Sequence, residues 1–176
     1  MNIVCLGWGS LIWQPGILPI AGEWCADGPQ VRIEFSRIGD GGELSTAVCL
    51  NAPEVPVYWA RLSVSGLKEA CEALRQREQI PDSRQDGIGI LPVTDAPAGS
   101  LSAWAQDKAI DAIIWTALPP RIAHTEGRIP TMEETLTYLQ GLSGETREHA
   151  QGYIRQVPAQ IDTPYRRAIA QALGWH

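Results

Sequence analysis

The strongest constraint on this chain is a series of short apolar runs, each cut off by glycine, proline or a polar turn. Asn2–Leu6 is apolar and runs straight into Gly-Trp-Gly, the pattern of a buried strand that ends in a tight turn. Between Gln30 and Phe35, Val31 and Ile33 alternate with Arg32 and Glu34, which predicts a half-buried strand with the two charged residues on the outer face. Thr46–Leu50 is a further run. Pro56–Val64 carries Val57, Tyr58, Trp59, Leu62 and Val64, all suited to a strand. Gly-Asp-Gly-Gly at 39–42 predicts the turn of a hairpin between the second and third strands, and Gly87–Val93 and Ala109–Thr116 complete a set of about six strands.

Helical patterns concentrate later. Ser65 is placed to cap a helix over Leu67–Glu78, which Pro81 stops. Thr131-x-x-Glu134 is a capping box, opening a helix with Met132, Leu136 and Leu139 on one side. Glu145–Val157 predicts another, with Ala150, Tyr153, Ile154 and Val157 inward. Thr163-Pro164 opens the last, which turns Tyr165, Ile169 and Ala172 to the core. Strands come mainly before helices, so the expected class is α+β, a sheet or small barrel with attached helices. With 176 residues, one domain over 1–176 is the expectation.

Several function classes are disfavoured. The formal charge is −6 and no basic cluster occurs, so nucleic acid is not an expected partner. No run of about 18 apolar residues exists, so no transmembrane helix and no membrane partner are expected. Met1–Cys5 has no cationic stretch before its apolar run, which makes the cytoplasm the expected location. Cys5, Cys25, Cys49 and Cys71 include no C-x-x-C pair, and His124, His149 and His176 have no ligand spacing. The expectation is free thiols and no metal.

Two places carry possible chemistry. The first is Leu6-Gly7-Trp8-Gly9-Ser10-Leu11. Its glycines free the backbone to approach a ligand, and successive N–H groups in such a turn can form a nest for an anion. Ile12 stands where a third glycine of a dinucleotide fingerprint would be, and no Walker lysine follows, so a nucleotide phosphate is not indicated. A tight structural turn is the competing reading. Ser10 is a possible nucleophile with no activating partner near it in sequence.

The second is Glu78. At about 100° per residue, Leu67, Cys71, Leu74 and Glu78 fall on one side of the predicted helix, so the acid continues the apolar stripe. Arg75 and Arg77 flank it. An inward carboxylate at the negative end of a helix dipole is the environment that makes a general acid or base, with the arginines acting in the opposite sense. The alternative is a solvated helix-end residue or a structural ion pair. Arg32 and Arg37 are candidate carboxylate binders, and His124 a candidate base. Trp8 and Trp13 bracket the turn as pocket walls or core, and Trp115 is expected in the core. Asp82, Asp86, Glu133 and Glu134 read as loop and helix-start charges, and Cys25 as a thiol of open reactivity.

Taken together these residues resemble the gamma-glutamylcyclotransferase-like family. Leu6–Pro15, L-G-W-G-S-L-I-W-Q-P, is similar to its glycine-rich signature, in the form closest to the glutathione-specific branch. Ala73–Gln79, A-L-R-Q-R-E-Q, resembles that branch's L-x-x-R-E segment. Trp8 stands where the family has tyrosine, and Ser36-Arg37-Ile38-Gly39 keeps the arginine but not the histidine of a further family stretch. The resemblance covers about Asn2–Val93. It implies a small, mostly antiparallel β-barrel with packed helices, no cofactor and no metal. It further implies release of 5-oxoproline from a gamma-glutamyl amide or peptide, with Glu78 as catalytic base and Trp8, Gly9, Ser10, Leu11 and Arg37 binding the substrate. The alternatives are a non-catalytic sensor of small anions on the same fold, or a different hydrolase that uses His124 or Ser10.

Overall fold

Strand β1 (Ile3–Gly7) is buried at every position, and a strand hidden on both faces takes neighbours on both edges. Those neighbours are β5 (Tyr58–Arg61), antiparallel, and β7 (Ala112–Thr116), parallel, with Cys5 opposite both Ala60 and Ile114. Strand β6 (Ile88–Pro92) adds antiparallel to β7, with Ile88 opposite Thr116, and the order is β5-β1-β7-β6. Helix α1 (Leu67–Arg77) packs over β7 and β6. Its Ala70 and Leu74 join Ile3, Cys5, Leu11, Leu18, Leu62 and Ile114 in one apolar cluster, with Leu67, Cys71 and Ile88 at its margin. This is the first of two units into which the chain's contacts divide: Met1–Gly7, Leu11–Gln30 and Pro56–Leu118. It also holds α2 (Ser100–Asp107), which no sequence signal announced.

The second unit comprises Trp8–Ser10, Val31–Val55 and Pro119–His176. Its sheet is built on β2 (Gln30–Ile38) and β3 (Leu44–Val48), antiparallel, with the register shifting by a bulge between Phe35 and Arg37. The expected hairpin turn is present: Gly39 donates to the Glu43 carbonyl at 2.9 Å, and Gly42 donates to Gly39 at 3.0 Å. β4 (Glu54–Pro56) also pairs with β2. Strand β8 (Arg121–Ile122) lies parallel to β2 and forms a small hairpin with β9 (Thr125–Glu126). Helices α3 (Met132–Gln140), α4 (Gly144–Gln156) and α5 (Pro164–Leu173) complete it. The class is α+β, as expected. The computed structural model describes residues 1–96 and 99–176, and among these each sheet is a mixed, open path of strands.

Local chemistry explains where elements begin. Thr131 Oγ1 accepts from the Glu134 N–H and the Glu134 carboxylate accepts from the Thr131 N–H, both at 3.0 Å, the reciprocal box read from the sequence. Thr163 caps α5 by accepting from the Arg166 N–H, with Pro164 in the first turn. Other expectations need correction. Ser65 does not cap α1; Gly66 occupies that position and no side chain caps it. Met132 is exposed where it was expected to pack, and Thr135 and Leu139 form the inner side of α3. Ala172 is exposed, leaving Ile169 as the buried residue of α5. The run Pro56–Val64 is split, with Val57 falling between β4 and β5. Glu34, placed by alternation on the outer face of its strand, is only 3% exposed. Its carboxylate accepts from Thr163 Oγ1 at 2.5 Å and from the Tyr165 N–H at 3.3 Å, because the start of α5 covers that face.

Candidate active site

Helix α1 delivers Glu78 to the end of the first unit at which β1 and β7 finish. The Glu78 N–H still donates to the Leu74 carbonyl at 3.0 Å, so the residue extends the helix by one position and keeps the inward stripe. The chain then leaves through Gln79, whose φ of 55° is left-handed, and Ile80 turns back to pack on Gly87. The Gly87 carbonyl accepts from Ala117, the residue after β7, at 2.8 Å. The carboxyl ends of α1 and β7 therefore lie together, and β1 ends beside β7 because the two are parallel.

The Glu78 side chain is 15% exposed. Its Oε1 accepts from Arg77 Nη1 at 3.0 Å. The same guanidinium donates through Nε and Nη2 to the Gln14 carbonyl, at 3.0 and 2.5 Å. Gly16 lies against the Arg77 side chain, in ordinary contact. One arginine thus binds the acid to the segment that follows the glycine turn. The sequence flagged Arg77 only as a neighbour of Glu78, and Gln14 contributes a backbone carbonyl that residue identity does not encode. Arg75 is engaged elsewhere, donating to the Arg84 carbonyl at 2.8 Å. On the sheet, Cys5 is fully buried. Burial, with the Glu78 carboxylate and Cys71 nearby, pushes its thiol far above the usual range, so Glu78 lies within electrostatic reach of Cys5 in the middle of β1.

The glycine turn is divided between the units. Gly7 and Leu11 belong to the first. A Cβ on Gly7 would meet the Trp24 ring at 2.6 Å, so only glycine lets the indole lie there, and Leu11 is buried in the cluster with Leu74. Trp8, Gly9 and Ser10 belong to the second, where two residues the sequence did not single out for chemistry hold them. Thr46 Oγ1 donates to the Trp8 carbonyl at 3.1 Å. The Tyr153 hydroxyl accepts from the Thr46 N–H at 3.1 Å and shares a bond with Thr46 Oγ1 at 3.0 Å. Both hydroxyls press on Gly9, where a Cβ would strike them. Trp8 is buried, and Trp13 and Ser10 are half-buried.

The remaining candidates have structural partners. Arg37 forms a forked pair with Glu126, at 2.8 and 3.0 Å, and donates to the Pro119 carbonyl at 2.9 Å. Arg32 donates to the Ala52 carbonyl at 2.9 Å. His124 is exposed in the β8–β9 turn with a left-handed φ of 59°, its ring 3.3 Å from Arg121. Trp115 is half-buried with its ring over Gly89, Asp86 pairs with Arg84, and Glu134 serves the capping box. Among the described residues, no three His, Cys, Asp or Glu side chains are grouped to hold a metal, and no helix is long and apolar enough to cross a membrane. No family model, no curated protein and no solved structure matches this chain.

Proposed function

We propose that the chain is a gamma-glutamylcyclotransferase-type enzyme that releases 5-oxoproline from a gamma-glutamyl amide or peptide. The observation that carries the reading is the half-buried Glu78 carboxylate, held at the end of the first unit where β1 runs into the glycine turn. The substrate's α-amine attacks its own γ-carbonyl. Glu78 accepts the proton from the ammonium and returns it to the departing amine, so the reaction is balanced without water. The backbone N–H of Leu11, which packs with Leu74 in the unit that holds Glu78, receives the carbonyl oxygen as it gains charge. Because nucleophile and electrophile belong to one molecule, bending the substrate supplies the proximity that the enzyme must otherwise create.

The reading includes the fold. The two mixed sheets and their helices are taken as a variant of the family's mostly antiparallel barrel. It also includes a cytoplasmic setting, in which the four unpaired cysteines would stay reduced. The substrate is a small gamma-glutamyl compound. A glutathione and gamma-glutamyl peptide panel, followed by chromatographic detection of 5-oxoproline, tests the proposal: at least one member must give product. A second reading, a sensor that binds a small anion without reaction, is favoured by Trp8 in the place of the family tyrosine. Saturable binding of a panel member with no 5-oxoproline would select it.

A further inference from the structure

The sheet of the first unit has two outer strands, and the chain treats their edges differently. The outer edge of β5 is covered by the segment before it: Cys25 and Trp59 exchange backbone hydrogen bonds at 2.8 and 3.0 Å, and Ala21 donates to the Arg61 carbonyl at 2.8 Å. At the other end of the order stands β6, and no strand among the described residues lies beyond it. Its ladder to β7 fixes which of its groups are left over. The Ala117 N–H donates to the Gly87 carbonyl and the Val93 N–H to the Asp111 carbonyl, each at 2.8 Å. By antiparallel alternation Gly89 and Leu91 then bond to β7, while the N–H and C=O of Ile88 and Ile90, and the C=O of Pro92, point outward. Ile88–Pro92 carries no charged side chain, and Ile90 is 45% exposed. Sheet edges of this kind invite pairing with another chain, and Pro92 blunts this one at its end alone.

We propose that β6 is the interface of a homodimer, in which the β6 strands of two copies of this chain pair antiparallel about a two-fold axis between their Gly89 residues. The edge is complementary in charge to itself. In this register Ile88 of one copy faces Ile90 of the other, so every outward N–H dipole of these residues meets an outward carbonyl. The exposed Ile90 side chain is covered by Ile88 of the second copy, on the face where Ile88 packs against the cluster beneath α1. The opposite face fits as well. The Trp115 ring lies over Gly89, so the two rings meet above a pair of glycines with no side chain between them. Moving the axis to Ile90 would set Ile88 against Pro92, which has no N–H to give. An edge of five residues falls short of the roughly 800 Å² per partner of a standard interface, so the dimer is weak and reversible.

Sedimentation velocity of the full chain, from micromolar to millimolar concentration, is expected to show monomer giving way to dimer. Ile90→Lys, which sets a cation on the edge, should raise the dissociation constant at least about tenfold. Ile90→Pro should do the same, because it deletes an N–H that the monomer does not use. Both variants should keep the wild-type circular dichroism. Amide hydrogen exchange locates the contact: Ile88 and Ile90 should slow as the wild-type concentration rises, whereas Gly89 and Leu91, bonded to β7, are protected throughout. If a variant fails to fold, the wild-type exchange pattern decides. A chain that is monomeric at every concentration overturns the proposal. So does a dimer that survives both variants or leaves the Ile88 and Ile90 amides unslowed. Slow exchange at those amides whatever the concentration would mean that the edge is closed within one chain or by a bound peptide, and would overturn it equally.

Discussion

Arg77 holds Glu78 at 3.0 Å and, with the same guanidinium, the Gln14 carbonyl. Both side chains of the pair are about one-sixth exposed, so the acid is kept largely out of water by the group that balances its charge. A forked cation can serve a carboxylate and a carbonyl at once, which an ammonium on a flexible stem does less well.

Arg77→Met should therefore lower unfolding free energy by about 1–3 kcal/mol, the range for a half-buried charged bond whose partner is left behind. Arg77→Lys should recover less than half of it. Urea titration at neutral pH measures both. A Lys variant as stable as the wild type would show that the fork to Gln14 contributes nothing.

Gly9 should resist substitution because two hydroxyls occupy the space of its missing side chain. Gly9→Ala is expected to destabilise by about 1–3 kcal/mol through overpacking. Combining it with Tyr153→Phe removes one of the two obstacles, so the double variant should be more stable than the sum of the singles implies. Strict additivity in chemical denaturation would contradict the contact.

The burial of Glu34 raises its carboxyl above the usual range, against the opposing pull of Thr163, the Phe35 and Tyr165 N–H groups and Arg167. The folded chain then holds this proton to higher pH than the unfolded chain does. The resulting stability is fully present below the ordinary glutamate range and is lost as pH climbs through the raised folded value. Wild type should lose unfolding free energy relative to Glu34→Gln as pH climbs through that window. A difference between the two that stays constant with pH would refute it.

Thiol labelling should separate the four cysteines. Cys5 and Cys49 are buried and should react with iodoacetamide only after unfolding, whereas half-buried Cys25 and Cys71 should label in the native protein. Burial raises the Cys71 thiol as well, which keeps its thiolate scarce and its reaction slow. Native labelling of Cys5 at a rate like that of Cys25 would mean that the apolar cluster beneath α1 does not enclose it as described.

What the sequence made legible was local. Gly39–Gly42 forms its turn, Thr131 and Glu134 their box, and Thr163-Pro164 the start of α5, because each depends on residues a few positions apart. Glu78 was legible through the 3.6-residue period alone, which continues to the last position of the stripe. What escaped was distant pairing. Alternation set Glu34 in solvent, and only α5, well over a hundred residues later, buries it. Arg37 is a candidate carboxylate binder by residue type, and nothing near it in sequence says that Glu126 takes both arms of its fork. Thr46 and Tyr153 meet at the Trp8 carbonyl and Gly9 from positions 107 residues apart, and nothing near either one in sequence says so.

The proposed chemistry turns on a single carboxylate, and Glu78→Gln changes that group while keeping its shape and one acceptor oxygen. The decisive measurement is the rate of 5-oxoproline release by wild type and Glu78→Gln, from the panel member that the wild type converts best. Circular dichroism should first confirm that both are folded. The expected result is a fall of about 10²–10⁴-fold in kcat with substrate still bound, the range for loss of a general base. Equal rates in the two proteins would leave the reaction without its proposed proton carrier and contradict the account.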